Sequence, residues 1–366
     1  MKRRILQIIP TLDRAGAEKQ MGLLVRGLPR DEFDVHVCAL TRGGPLEAEL
    51  AEAGVPVTVI GKRWRLDPQA FWRLKRYVDR LRPDVIQSWM LAANTYGYPV
   101  ARACGVPCYI AGQRCVDPWK GQVELAADRY IGRRCSAVVA NSPAVRDFYA
   151  RHGLPLEKIR VVPNGVPPAE ASNTTRRQLL AELGLPGGSR LVGLVGRLWP
   201  QKRVKDAIWA ADLLKVIRDD VHLLVIGDGP ARDRLWKFRD QVVIRDKVHF
   251  LGHRDDVPRL LPHFDVLWST SGYEGQSNSV MEAMACGVPV VATDVPGTRD
   301  LVAAEATGYL VPVGDRAGIA RHTNRLLNDA ELARRLGEAG RERMQREFSV
   351  EKMVRRYVAL YRELLG

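Results

Sequence analysis

Long apolar runs are missing from this 366-residue chain. No eighteen consecutive apolar residues occur, so no segment reads as a membrane-spanning helix. The opening Met-Lys-Arg-Arg and Ile5–Ile9 begin like a signal peptide, but the apolar part is short and Pro10–Arg14 interrupts it. A first strand is expected there instead. Cysteine is scarce as well: six in a chain this long are too few for a disulfide framework, which favours free thiols and an intracellular setting. Cys104, Cys108, Cys115 and Cys135 follow no common structural zinc spacing, and the seven histidines are scattered, so no metal site is expected. Low-complexity tracts and solenoid-period repeats are absent too. Acidic residues are in deficit, 42 Asp and Glu against 56 Lys and Arg, for a formal charge of +14. The deficit lies mainly in residues 1–165, with 26 cationic side chains against 16 acidic ones; residues 166–366 carry 30 against 26. Nucleic acid, an anionic membrane surface and a phosphorylated substrate would each suit that excess. No recognised nucleic-acid motif accompanies it, so no nucleic acid partner is expected.

What the chain does have is rhythm. Short apolar runs at Ile5–Ile9, Val35–Leu40, Val57–Ile60, Val85–Ser88, Cys108–Ala111 and Ala137–Ala140 read as strands of a first domain. Val192–Val195, Val221–Ile226, Val248–Leu251, Val266–Ser269 and Val288–Ala292 read as strands of a second. Amphipathic segments fall between most of them, among them Ala17–Leu28, Pro68–Leu81, Lys205–Val216 and Ala231–Asp240. Strand-then-helix alternation predicts an α/β protein of two doubly wound, Rossmann-like domains, each binding ligands at the carboxyl ends of its strands. The turn residues Pro163–Pro168 and the small, polar 169–175 stretch mark the boundary. The domains expected are 1–168 and 174–347, with an amphipathic helix over 348–366 that carries Val354, Tyr357, Val358, Tyr361 and Leu364 on one side.

One stretch carries more chemistry than the rest. Between Ser271 and Arg299, Glu274 lies in a glycine-bearing loop and Glu282 in the helix that follows, with seven residues between them. That helix has a polar start at Ser277 and Asn278 and a stop at Gly287. A helix N-terminus presents unpaired N–H groups and positive dipole charge, so it attracts anions. A carboxylate before it and another inside it can grip hydroxyls flanking a bound phosphate, the combination a nucleotide-sugar needs. In the same half, the strand ending at Gly196 is followed by Arg197 and Lys202, a planar fork of donors and a compact charge that both suit phosphate oxygens.

Three further segments have two readings each. Gly16 follows the first strand and opens a helix, which fits a close backbone approach by a phosphate or sugar, or an ordinary turn. Gly227-Asp228-Gly229-Pro230-Ala231-Arg232 imitates a dinucleotide fingerprint but lacks its third glycine, which favours a plain strand-to-helix turn. Lys62–Arg82 interleaves Trp64, Phe71, Trp72 and Tyr77 with Arg63, Arg65, Arg73, Lys75, Arg76 and Arg80. It reads either as a helix lying on an anionic membrane or as a surface helix packing its aromatic stripe on its own sheet.

Gly196-Arg197-Leu198 with Lys202, Pro163-Asn164-Gly165-Val166, and the block from Glu274-Gly275 to Gly287-Val288-Pro289-Val290-Val291-Ala292-Thr293 together resemble glycosyltransferase family 4. The resemblance covers nearly the whole chain. It implies a GT-B fold, with two domains facing each other across a cleft and a final helix crossing back to the first domain. It also implies sugar transfer with retention from a nucleoside diphosphate sugar, without a metal or other cofactor. Arg197 and Lys202 would hold the leaving diphosphate, Glu282 the ribose hydroxyls, and Glu274 the transferred sugar. The backbone of Gly275, Gln276 and Ser277 would lie beside that sugar, with Asn278 at the helix start, and Gly16 would face the diphosphate. The implied partners are the nucleotide-sugar donor and a glycan or lipid-linked acceptor in polysaccharide biosynthesis. The protein is expected in the cytoplasm, peripheral to an anionic inner membrane face. A nucleotide-sugar epimerase or phosphorylase of this architecture and a non-catalytic nucleotide-sugar-binding scaffold are the alternatives. Three positions depart from the family pattern. Ala15 precedes Gly16 where paired glycines are common, Trp89 stands where many members have histidine, and Arg203 follows Lys202 where glycine is usual.

Overall fold

The computed structural model describes residues 2–170 and 172–366. Met1 and Ala171, the latter inside the predicted linker 169–175, lie outside the described residues. The chain forms two compact units, Met1–Gly165 joined by Val350–Gly366, and Val166–Ser349.

The first unit is built on β1 (Arg3–Thr11), β2 (Phe33–Arg42), β3 (Val57–Val59), β4 (Val85–Trp89), β5 (Cys108–Gln113), β6 (Ala137–Ala140) and β7 (Ile159–Val161). They form one parallel sheet in the order β3-β2-β1-β4-β5-β6-β7. Successive side chains of β1 go to opposite faces, as a strand's period of two requires. Ile5 and Ile9 enter one apolar core, Leu6 and Ile8 the other. The second core lies under helices Pro68–Leu81, Met90–Ala103 and Gln122–Arg134. Asp67 caps the first of these by accepting from the Ala70 N–H at 3.0 Å. The first core is closed by helix Val350–Leu365, which buries Met353, Val354, Tyr357, Val358, Leu360 and Tyr361. Ile159–Val161 and the later Gly308–Val311 are strands that the apolar pattern alone does not announce.

The second unit holds β8 (Arg190–Val195), β9 (Val221–Ile226), β10 (Val248–Gly252), β11 (Val266–Ser269), β12 (Val290–Thr293) and β13 (Gly308–Val311). They pair in parallel in the order β10-β9-β8-β11-β12-β13. Gly193 in the middle of β8 leaves room for the Phe264 ring, with which a side chain there would collide. Leu191, Leu224 and Leu267 face the core that includes Val280, Met284 and Met344 from helices Asn278–Ala285 and Ala330–Glu347. Val192, Leu194 and Trp268 face the other, beneath helices Val204–Lys215 and Arg316–Asn328. In each unit the strand order reverses once, between β1 and β4 and between β8 and β11. Sheets of this kind bind ligands outside such reversal points, at the carboxyl ends of the strands.

Among the described residues no helix is long and apolar enough to cross a membrane. None of the six cysteines is in a disulfide, and three of them are buried.

Candidate active site

At the second unit's reversal point, the loops leaving β8 and β11 are stitched together. Gln201 donates from its side chain to the Tyr273 carbonyl at 2.8 Å, and the Gly272 N–H donates to the Gln201 carbonyl at 2.8 Å. The Thr270 hydroxyl donates to the Lys202 carbonyl at 2.7 Å. This lacing brings the Lys202 ammonium to 2.5 Å from a Glu274 carboxylate oxygen. Glu274 is buried and Lys202 only partly so, with 7% and 20% of their side chains exposed. An ammonium has three N–H donors, so two stay available beyond Glu274.

Arg197 occupies the same edge under different conditions. It is exposed, its guanidinium lies 5.3 Å from the Trp199 ring centre, and it makes no ion pair with a described residue. The turn that carries it is shaped from behind. Gly196 and Gly227 adopt φ of +158° and +129°, and a side chain on Gly227 would collide with the Gly196 carbonyl. One on Gly229 would come within 2.7 Å of the Leu198 carbonyl. The Leu198 N–H in turn donates to the Asp228 carbonyl at 2.9 Å. The glycines that imitate a dinucleotide fingerprint therefore serve as a backing for Gly196–Leu198, a role that only the juxtaposition of β8 and β9 reveals.

Arg203 does not add its charge to this edge. Its guanidinium binds Asp206 at 2.6 Å, and Asp206 also takes Arg316 at 2.8 Å. Arg203 has φ of +48°, the left-handed conformation that glycine adopts without cost, which accounts for the glycine usual there in the family.

Beyond Glu274, residues Gly275, Gln276 and Ser277 are buried, and Ser277, the N-cap residue of helix Asn278–Ala285, makes no side-chain cap. Ser277 instead shares a hydroxyl contact of 3.1 Å with Ser279. Glu282, half-buried, lies in the body of this helix. Burial, and then the Glu282 carboxylate, push the Cys286 thiol up to about 11. The helix ends at Ala285, and Gly287 just beyond it turns the chain with φ of +76°. A second short helix, Pro296–Arg299, packs so closely that a side chain on Gly297 would come within 2.6 Å of the Glu274 carbonyl. Two buried hydroxyls of this region, on Ser271 and Thr298, have no hydrogen-bond partner. Neither is marked in the sequence, where a lone Ser or Thr carries no signal until its surroundings are known.

Gly16 opens helix Gly16–Gly27 in the first unit, with Ala15 in extended conformation before it. Trp89, at the family's histidine position, is the buried last residue of β4. The basic-aromatic segment divides: Phe71 and Tyr77 pack on the unit's own core, whereas Trp64 and Trp72 are 60% and 57% exposed. Among the described residues, no three His, Cys, Asp or Glu side chains gather as metal ligands.

This geometry agrees with comparisons to known proteins. Residues 175–343 match the family model of group 1 glycosyl transferases, and residues 14–170 match that of glycosyltransferase family 4. D-inositol 3-phosphate glycosyltransferase of Salinispora tropica is 30% identical over 93% of this chain and 70% of its own length. N-acetyl-alpha-D-glucosaminyl L-malate synthase of Bacillus anthracis is 35% identical over 51% of this chain, a match that spans 49% of the relative. Anabaena HepE, crystallised in complex with UDP-glucose, superposes with a TM-score of 0.89 at 22% identity, over 98% of this chain and 99% of that one. The protein belongs to glycosyltransferase family 4, and its two units have the folds of the GT-B class.

Proposed function

We propose that this protein transfers a sugar, with retention, from a nucleoside diphosphate donor bound by the second unit to a hydroxyl of an acceptor bound by the first. The observation that carries the reading is the Lys202–Glu274 contact at the sheet's reversal point, beside the N-terminus of helix Asn278–Ala285. The free donors of Lys202 and the unpaired Arg197 take the diphosphate and stabilise it as it leaves. Glu274 keeps Lys202 in place and binds hydroxyls of the transferred sugar, with the backbone of Gly275, Gln276 and Ser277 alongside. The N–H groups from Asn278 onward face a phosphate, and Glu282 accepts from the ribose. Gly16 is assigned to a close backbone approach by a phosphate. The acceptor hydroxyl attacks from the face that the diphosphate leaves, which preserves the configuration. HepE's complex with UDP-glucose makes UDP the first nucleotide to try.

Because two cationic side chains neutralise the leaving group, the reaction proceeds without a divalent ion. In a donor-turnover assay, Glu274→Ala lowers the rate by about 10²- to 10³-fold while melting stays cooperative, and wild-type turnover survives EDTA. An unchanged rate in Glu274→Ala would sink the reading, and lost activity in EDTA its metal-independent part.

The acceptor is a lipid-linked or otherwise anionic glycan precursor, met at the cytoplasmic face of a membrane. The supporting observation is the basic first half, with Trp64 and Trp72 exposed among arginines. Sedimentation with anionic but not neutral liposomes is expected; equal and negligible sedimentation with both argues against it.

A further inference from the structure

The first unit has a reversal point of its own, and Trp89 and Arg114 at its carboxyl edge have no part in the donor site proposed above. Trp89 ends β4 with its indole N–H donating to Gln7 at 2.7 Å. Met90 follows with φ of +68°, a left-handed conformation that a side chain tolerates only at a cost. Arg114, the residue after β5, lays its guanidinium over the Trp89 ring at 4.7 Å. It donates to the Tyr357 hydroxyl at 3.3 Å and to the side-chain oxygen of Asn164, both neutral groups. Among the described residues no carboxylate pairs with it, and three of its five N–H groups are without a partner. Burial is the main influence on this guanidinium and pulls its pKa down. Lys120, six residues on, shows how the same unit handles a buried cation elsewhere. It sits 3.1 Å from Asp117 and 2.9 Å from Asp128, with the Tyr149 hydroxyl 2.6 Å away. The edge near Arg114 holds an orphan too: Asn141 donates to the Arg114 carbonyl at 2.9 Å, while its own side-chain oxygen, buried, has no partner. A half-buried charge without a counter-charge costs folding free energy unless a ligand completes it.

We infer that Arg114, backed by Trp89 and steadied by Tyr357 and Asn164, is the receptor for an oxyanion, a phosphate or carboxylate, carried by the acceptor. A guanidinium fork suits a planar or tetrahedral oxyanion, and the ring behind it fixes the plane in which the free N–H groups point. The assignment to the acceptor rests on the reading that the first unit binds it. The competing role is a structural clamp, joining helix Val350–Leu365 and Asn164 to the sheet.

The test uses the wild-type protein with inorganic phosphate as probe. Arginines are modified with phenylglyoxal and quantified peptide by peptide, with and without saturating UDP. With UDP bound, phosphate slows modification of Arg114 roughly tenfold at ten times its dissociation constant, while the exposed Arg102 reacts unchanged. Equal labelling of Arg114 with and without phosphate overturns the inference and leaves a clamp. Protection of Arg114 by UDP alone gives the oxyanion to the donor and overturns it as well. Calorimetric titration of phosphate into the UDP-saturated protein adds a second measurement. Arg114→Gln weakens binding at least about tenfold and Arg114→Lys recovers part of it; binding unchanged in a folded Arg114→Gln counts against the site. UDP affinity in the same samples reports on the donor site separately. Loss of UDP binding with phosphate protection retained would strike the transferase reading and leave the anion site standing.

Discussion

Arg197 and Arg203 are six residues apart and carry the same charge, yet their surroundings divide their roles. Asp206 holds Arg203 at 2.6 Å and is shared with Arg316, so that cation is neutralised within the fold. Among the described residues Arg197 has no ion-pair partner and lies against the face of Trp199. An unpaired guanidinium aimed at developing phosphate charge is worth far more to a transition state than one already committed to a carboxylate. Arg197→Ala should therefore cut turnover by about 10²- to 10³-fold. Arg203→Gly trades an ion pair for relief of a left-handed residue, terms of about 1 kcal/mol each, and should leave turnover and melting temperature close to wild type. Steady-state kinetics and thermal unfolding of the two variants side by side check the contrast; equal losses of rate would contradict it.

At the scale of elements, the edge of the second sheet contains a pH-sensitive contact away from the site. His222 on β9 and His249 on β10 approach ring to ring, with 3.0 Å between nitrogens. Burial, then the neighbouring His249, bring the His222 pKa down to about 4. An unfolded histidine titrates near 6.5, so between these values the unfolded chain binds a proton that the folded one refuses. Stability contributed by the neutral ring is complete above about pH 6.5 and is lost as pH falls through the window. Urea unfolding should show a decrease on the order of 1–2 kcal/mol between pH 7 and pH 5, and His222→Gln should flatten that slope. A wild-type slope no steeper than the variant's would remove His222 as its cause.

For the molecule as a whole, the first unit is completed only by the last residues of the chain. The Tyr361 hydroxyl, fully buried, accepts from Gln7 at 3.0 Å and donates to Gln87 at 2.7 Å, linking the final helix to β1 and β4. Gly165 serves the same closure. A side chain on it would come within 2.8 Å of the Val350 Cα, and Gln20 grips its N–H and carbonyl at 2.8 Å each. Tyr361→Phe leaves the buried Gln7 and Gln87 amides short of a partner, at a cost of about 1–3 kcal/mol. Differential scanning calorimetry should show the transition of the first unit lowered and that of the second unmoved. Equal shifts in both would mean that the helix does not belong to one unit alone.

Local pattern was enough to place most strands, the helix Pro68–Leu81, and the helix between Ser277 and Gly287, because period, polar start and stop are properties of adjacent residues. It failed at Ile159–Val161, three residues long and soon followed by Pro163, and at Gly308–Val311, whose leading glycine reads as a turn but is needed where a side chain would come within 2.6 Å of the Val290 carbonyl. The sequence by itself determined the two-domain α/β class and the residue types of the proposed donor site. Tertiary structure alone decided that Lys202 meets Glu274, that Gly227 and Gly229 shape the Arg197 turn, and that Arg114 stands over Trp89 without an acid. Each of those facts joins segments brought together by sheet order, β8 beside β9 and β11, and β4 beside β5. Periodicity along a chain does not specify which strands become neighbours; that choice follows from burying both faces of each sheet at once.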